Sequence, residues 1–110
     1  MINRMEETPL EEQNRLLYEK IGAEHEQYKR DLLWLPAEEI LHQAYAYTVR
    51  EDIIFALEEH DLSLVQCKAL LQSEHPLRDI FESWENTETH YMDVIRDTID
   101  STANEKVAEA

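Results

Sequence analysis

Residues 76–99 read PLRDIFESWENTETHYMDVIRDTI. On a helix of 3.6 residues per turn, Leu77, Ile80, Phe81, Trp84, Tyr91, Val94, Ile95 and Thr98 fill one arc. Asp79, Glu82, Glu85, Asp93, Asp97 and Asp100 fill another. Pro76 opens the segment, because proline is pre-set for the first helical position, where its missing N–H costs nothing. The spacing therefore predicts one amphipathic helix from Leu77 to about Ile99. An amphipathic stripe has to be buried against other elements, and the rest of the chain supplies only helical pattern to do it. No alternating strand pattern, internal repeat or Gly/Ser linker occurs, so the expected fold is all-α, a compact bundle of four or five helices.

Working back toward the N-terminus, Ser63 with Gln66 three residues later has the form of a capping box for a short helix ending near Leu71. His60-Asp61-Leu62 reads as the turn before it. The stretch from Ala37 to Leu57 is two-sided. Ala37, Ile40, Leu41 and Ala44 share one face, and Val49, Ile53, Ala56 and Leu57 share nearly the opposite one. Either a single helix is buried on both sides, or the helix breaks at Thr48, where Thr48-Val49-Arg50-Glu51 has the capping-box form; that form favours the break. Pro36 followed by Ala37, Glu38 and Glu39 marks the start, with Pro36 at the first helical position and acids facing the helix dipole. Leu10, Leu17, Ile21, Tyr28, Leu32 and Leu35 recur at helical spacing, and the first helix is read over Leu10–Leu33. Gly22 inside it signals a close packing contact or a bend. The domain organisation that follows is a flexible segment over 1–9, one helical domain over 10–100 and a frayed tail over 101–110.

The chain has 110 residues and a net charge of −15 at pH 7, with 43% hydrophobic residues. That apolar content is too high for a disordered acidic segment, so the charge decorates a folded surface. A surface of this sign repels phosphate, which excludes direct nucleic-acid binding and anionic membranes as targets. Neither a basic-then-apolar leader nor a window of about 20 apolar residues occurs, so no membrane span is expected. The lone Cys67 has no disulfide partner in the chain, which suits a reducing, cytoplasmic setting.

Catalytic signatures fail one by one. Glu39-Ile40-Leu41-His42 has the Glu-x-x-His spacing of di-iron bundles, but no second pair exists and the two side chains fall away from the apolar face. His25-Glu26 begins a zinc-protease motif, yet Lys29 stands where the second imidazole is required. His90 and Asp93, one turn apart, suit a solvated pair. Cys67 beside Lys68 reads as an inert, partly buried thiol. One glycine cannot form a phosphate loop. No catalytic residue, metal or cofactor is expected. Glu88 is the one carboxylate within the apolar arc of the last helix, either at the rim of the core or paired with a tyrosine hydroxyl, a histidine or Arg50.

The acids are concentrated. Residues 36–60 hold six acids against Arg50, and Asp79 to Asp100 hold seven against Arg96. The latter cover about 33 Å of helix, over which a duplex carries about 19 phosphates. One helix is thus a thin imitation of nucleic acid, and a convincing one needs Glu38, Glu39, Glu58 and Glu59 as well. The partner-binding candidates are therefore Glu38, Glu39, Glu58, Glu59, Asp79, Glu82, Asp93, Asp97 and Asp100, with Tyr45 and Tyr47 as aromatic anchors. The expected partner is a protein with a basic surface, of the kind a nucleic-acid-binding enzyme presents. The competing expectation is an adaptor bundle, or a homodimer, held by the apolar faces of residues 37–57.

From about Tyr18 to Tyr91 the chain resembles a family of small uncharacterised bacterial proteins carried on phages and mobile elements of Gram-positive gut bacteria. The likeness rests on Leu35-Pro36-x-Glu38-Glu39-Ile40-Leu41, Ala44-Tyr45-x-Tyr47-x-Val49-Arg50-Glu51-Asp52-Ile53, Lys68-Ala69-Leu70-Leu71 and Pro76-Leu77-x-Asp79-Ile80. The resemblance implies no catalytic residue. It implies a setting in which small acidic proteins block host nucleases, restriction and CRISPR effectors among them.

Overall fold

A computed structural model describes residues 7–87 and 90–109. Among them are five helices and no strand: α1 Pro9–Leu32, α2 Ala37–Glu59, α3 Leu64–Leu71, α4 Pro76–Thr87 and α5 Tyr91–Glu109. The fold is all-α, as the periodicity requires.

Helix α1 is the central support. Thr8 caps it by accepting from the Glu11 N–H at 3.1 Å, Pro9 occupies its first turn, and Lys29 and Arg30 complement the dipole at its end. Leu17, Ile21, His25 and Leu32 are its buried residues and lie along one face. Leu17 and Ile21 meet Cys67 of α3 and Leu77 of α4 in a fully buried cluster, and Ile53, Ile54 and Leu57 of α2 pack around it. Helix α3 begins with the capping box read from Ser63 and Gln66: each side chain accepts from the other residue's backbone N–H.

Polar contacts tie α1 to the later helices. Glu24 accepts from the backbone N–H groups of Leu77 at 2.8 Å and Arg78 at 2.9 Å, closing the N-terminus of α4 from a different helix. The Lys20 ammonium donates to the carbonyls of Leu71, the last residue of α3, and of Ser73 just past it. Tyr28 donates to Gln43 of α2 at 3.0 Å.

Several expectations are corrected. Helix α2 runs unbroken through Thr48; its apolar residues are two-sided because α2 packs on α1 along one side and on α4 along another. Pro36 is the cap residue, one position before the first helical one. Gly22 marks no close contact, since a Cβ there would meet nothing within 4 Å, and α1 continues through it.

Among the described residues, the single helix expected over Leu77–Ile99 is instead two, α4 ending at Thr87 and α5 starting at Tyr91. Asn86, Thr87 and His90 are weak helix formers, and the Thr87 hydroxyl turns back to the Trp84 carbonyl at 3.0 Å. The reading of Glu88 lies outside the described residues. The C-terminal segment is helical to Glu109, not frayed from Ser101. Its apolar pattern fades there, but Ala103, Glu105, Lys106 and Ala108 are strong helix formers and Lys106 pairs with Glu109 at 3.6 Å.

Helix α5 contains no buried residue. The molecule measures 67 × 33 × 30 Å with a radius of gyration of 19.3 Å. A chain of this length packed to uniform density has a radius of about 13 Å, so α5 extends the four packed helices rather than joining their core.

Candidate functional site

Helix α2 sets acidic side chains beside uncovered apolar ones. Leu41, Tyr45, Thr48, Asp52, Phe55 and Glu59 share one stripe of α2 at helical spacing. Leu41 is 75% exposed and Phe55 64%. The stripe turns away from α1 because the opposite arc, carrying Ile53, Ile54 and Leu57, is the one seated on the core. Trp34, in the turn before α2, is 89% exposed.

Tyr45 anchors the middle of this stripe. Its hydroxyl accepts from the Trp84 indole N–H at 3.1 Å, and its ring lies 5.9 Å from that of Tyr91. Three helices thus contribute to one surface aromatic cluster, all three rings being partly exposed. The sequence places Trp84, Tyr91 and Val94 on a buried arc. That arc is buried only at its start, at Leu77 and Phe81, because α5 leaves the core.

The carboxylates around the stripe are largely unneutralised. Among the described residues, Glu38, Glu39, Asp52, Glu59, Asp97 and Asp100 have no basic side chain within ion-pair distance, all the pairs found being elsewhere. Other candidate acids are engaged. Glu58 accepts from the Tyr18 hydroxyl, Asp79 accepts from Ser73, Glu82 lies 3.9 Å from Arg78, and Asp93 bonds Arg96 at 3.1 Å. Glu38 and Glu39 begin α2 while Glu58 and Glu59 end it, about 30 Å apart along the axis. Tyr45 lies between the two pairs along the helix.

Tyr47 sits differently from Tyr45. It is half-buried and stacked on His25, ring centres 4.8 Å apart, so it serves the α1–α2 contact. Beside it, Glu51 is held below the usual carboxylate range, first by its hydrogen-bonding approach to the Tyr47 hydroxyl, with His25 and Lys29 adding to it against the opposing effect of desolvation. The same approach to Glu51, with desolvation, pushes the Tyr47 phenol up. The buried His25 has Nε2 3.6 Å from Glu51, beyond hydrogen-bond reach, and neither ring nitrogen has a partner. Arg50 is the other buried polar residue, its guanidinium 4.0 Å above the Tyr28 ring and 5.3 Å from that of Phe81. Sequence reasoning left Arg50 open between a core network and its own helix; the only signal for burial was its place among Val49, Ile53 and Ile54 in a two-sided helix.

No group of three or more His, Cys, Asp or Glu side chains among the described residues could hold a metal ion. Glu39 and His42 are both exposed. No helix among the described residues is long and apolar enough to cross a membrane. The class these features define is an all-α acidic domain with an uncovered aromatic and carboxylate face. By comparison with protein families, residues 13–107 match the family described as proteins of unknown function, DUF3848, and the chain belongs to that family. No curated protein and no solved structure matches it.

Proposed function

We propose that this protein is a non-enzymatic acidic binding protein of the cytoplasm, which docks its α2 face on the basic, nucleic-acid-binding surface of another protein. An inhibitor of a host defence nuclease, of the restriction or CRISPR kind, is the function that fits the mobile-element resemblance. The observation that carries the reading is the juxtaposition on α2 of unpaired carboxylates with exposed Leu41, Tyr45 and Phe55. Carboxylates set encounter rate and orientation, while desolvated aromatic and aliphatic anchors supply affinity. Self-repulsion at −15 opposes folding, and a complementary cationic surface relieves it on binding.

The test is affinity capture from a Gram-positive host lysate at low and at high salt, with duplex DNA as competitor. Basic nucleic-acid-binding enzymes should be retained at low salt, released at high salt and displaced by DNA. Recovery of the same proteins at both salts, or of partners without a basic groove, contradicts the reading.

A second reading, an adaptor or homodimer joined through apolar contact, is favoured by one feature. Helix α5 buries nothing, yet carries Val94, Ile99 and Val107 at 60% exposure or more. Light scattering separates the two: a monomer at high concentration supports docking on a basic partner, and a salt-insensitive dimer replaces it.

A further inference from the structure

Arg50 is only 8% exposed, and it has no countercharge. Its Nε has no acceptor, and no carboxylate among the described residues lies within ion-pair distance of it. A guanidinium cannot escape burial by losing its proton, as a lysine can. The faces of Tyr28 and Phe81 offset part of its desolvation, but they leave its buried in-plane Nε–H unsatisfied. A fold gains nothing from such a residue that an apolar side chain of equal volume would not supply.

Arg50 and Tyr28 line a cleft of about 410 Å³ between α1, α2 and the start of α4. The other charges of the cleft are mostly committed. Glu24 spends both oxygens on the Leu77 and Arg78 amides, and Asp31 accepts from Gln27. Lys20 donates to two carbonyls and retains one N–H. At the rim, Glu74 and Arg78 are exposed and opposite in sign. The missing element is therefore an anion at Arg50.

We propose that this cleft binds the carboxylate of a small organic acid or of a peptide C-terminus, with Arg50 as its contacting cation and Lys20 as a second donor. A guanidinium held 4.0 Å over an aromatic ring still offers its donors in its own plane, which matches a planar carboxylate. The three cations of the cleft already face three carboxylates, so a monoanion is opposed less there than a dianionic phosphate. The volume suits a small organic molecule rather than a bare ion. This site is independent of the α2 face and stands or falls without it.

The experiment is a titration of the full chain followed by ¹H–¹⁵N NMR at the Arg50 side chain and the Leu77 and Arg78 amides. The probes are sodium acetate, a short neutral peptide with a free C-terminus, the same peptide amidated, sodium phosphate and sodium chloride, all at matched ionic strength. Saturable shifts with acetate and with the acid peptide are expected, the acid binding about tenfold or more tighter than the amide. Saturation by acetate with a non-binding peptide assigns the site to small acids. Arg50→Met should keep the fold and lose the shifts; should it not fold, Arg50→Lys, expected to weaken binding by about tenfold, takes its place. Shifts that track ionic strength alone, that survive loss of the guanidinium, or that arise with phosphate only would overturn the proposal.

Discussion

Removing the Glu24 carboxylate should cost more than removing any other acid on α1, although it lowers the charge of a strongly anionic protein. Glu24 accepts from two N-terminal amides of α4, at 2.8 and 2.9 Å, one of them partly buried. A lost cap interaction is worth about 1 kcal/mol and the dipole contact about 0.5 kcal/mol. An amide left without an acceptor adds about 1 kcal/mol more. Relief of self-repulsion returns a few tenths, so Glu24→Ala is expected to lose about 2 kcal/mol, or about 10 °C in melting temperature for a domain of this size. Glu24→Gln keeps one neutral acceptor and should lose about half of that. Glu26→Ala, exposed two residues further on, is the control and should be neutral within about 0.5 kcal/mol. Urea unfolding of the three variants measures the differences. A loss below about 0.5 kcal/mol for Glu24→Ala, or an equal loss for Glu26→Ala, would refute the claim that α4 is held at its start by α1.

Other outcomes follow from the same structure. Gly22→Ala should raise stability by about 1 kcal/mol, because the added methyl meets open space and alanine loses less backbone entropy in a helix; thermal melts check this. Cys67 is fully buried and burial pushes its thiol up, so it should react with a thiol reagent only at the rate of unfolding, and fast labelling in native buffer would contradict the core assignment. The Tyr18 phenol is raised first by its bond to Glu58 and then by desolvation. A raised folded-state value means that its contribution is complete below the ordinary tyrosine range near 10 and is lost as pH climbs through the folded value. Ultraviolet titration should show one late-ionising phenol fewer in Tyr18→Phe.

Local chemistry in this chain was read well where it is self-contained. The Ser63–Gln66 box and the proline at residue 76 each satisfy or remove backbone donors within one turn, so neighbours in sequence suffice to reveal them; the cap at Thr8 and the helical start at Pro9 fall in the segment expected to be flexible and were missed. The continuity of α2 was not legible, because Thr48-Val49-Arg50-Glu51 has the form of a cap yet lies in a helix gripped on two sides, and tertiary contact outweighs a weak local preference. Periodicity on residues 76–99 said which side chains share an arc but not where a partner for that arc ends. Leu77 and Phe81 reach the core, while Trp84 and Tyr91 surface beside Tyr45. Of the candidate site, the exposed acids of α2 were visible as charge; the aromatic cluster among them depends on three helices meeting, which no spacing encodes. Arg50 is the sharpest case, since only the fold reveals a buried cation without a countercharge among the described residues.

The central claim is that a partner reads the carboxylates organised around Tyr45 on α2. Its most direct measurement is the dissociation constant for a captured basic partner, across a salt series, for three proteins: wild type, Glu38→Lys/Asp52→Lys/Glu59→Lys, and Asp93→Lys/Asp97→Lys/Asp100→Lys, with circular dichroism confirming that each is folded. The account predicts that the α2 triple variant loses most of the affinity and flattens the salt dependence, while the α5 triple variant retains binding to a large extent. Wild-type affinity and an unchanged salt slope in the α2 variant would contradict it.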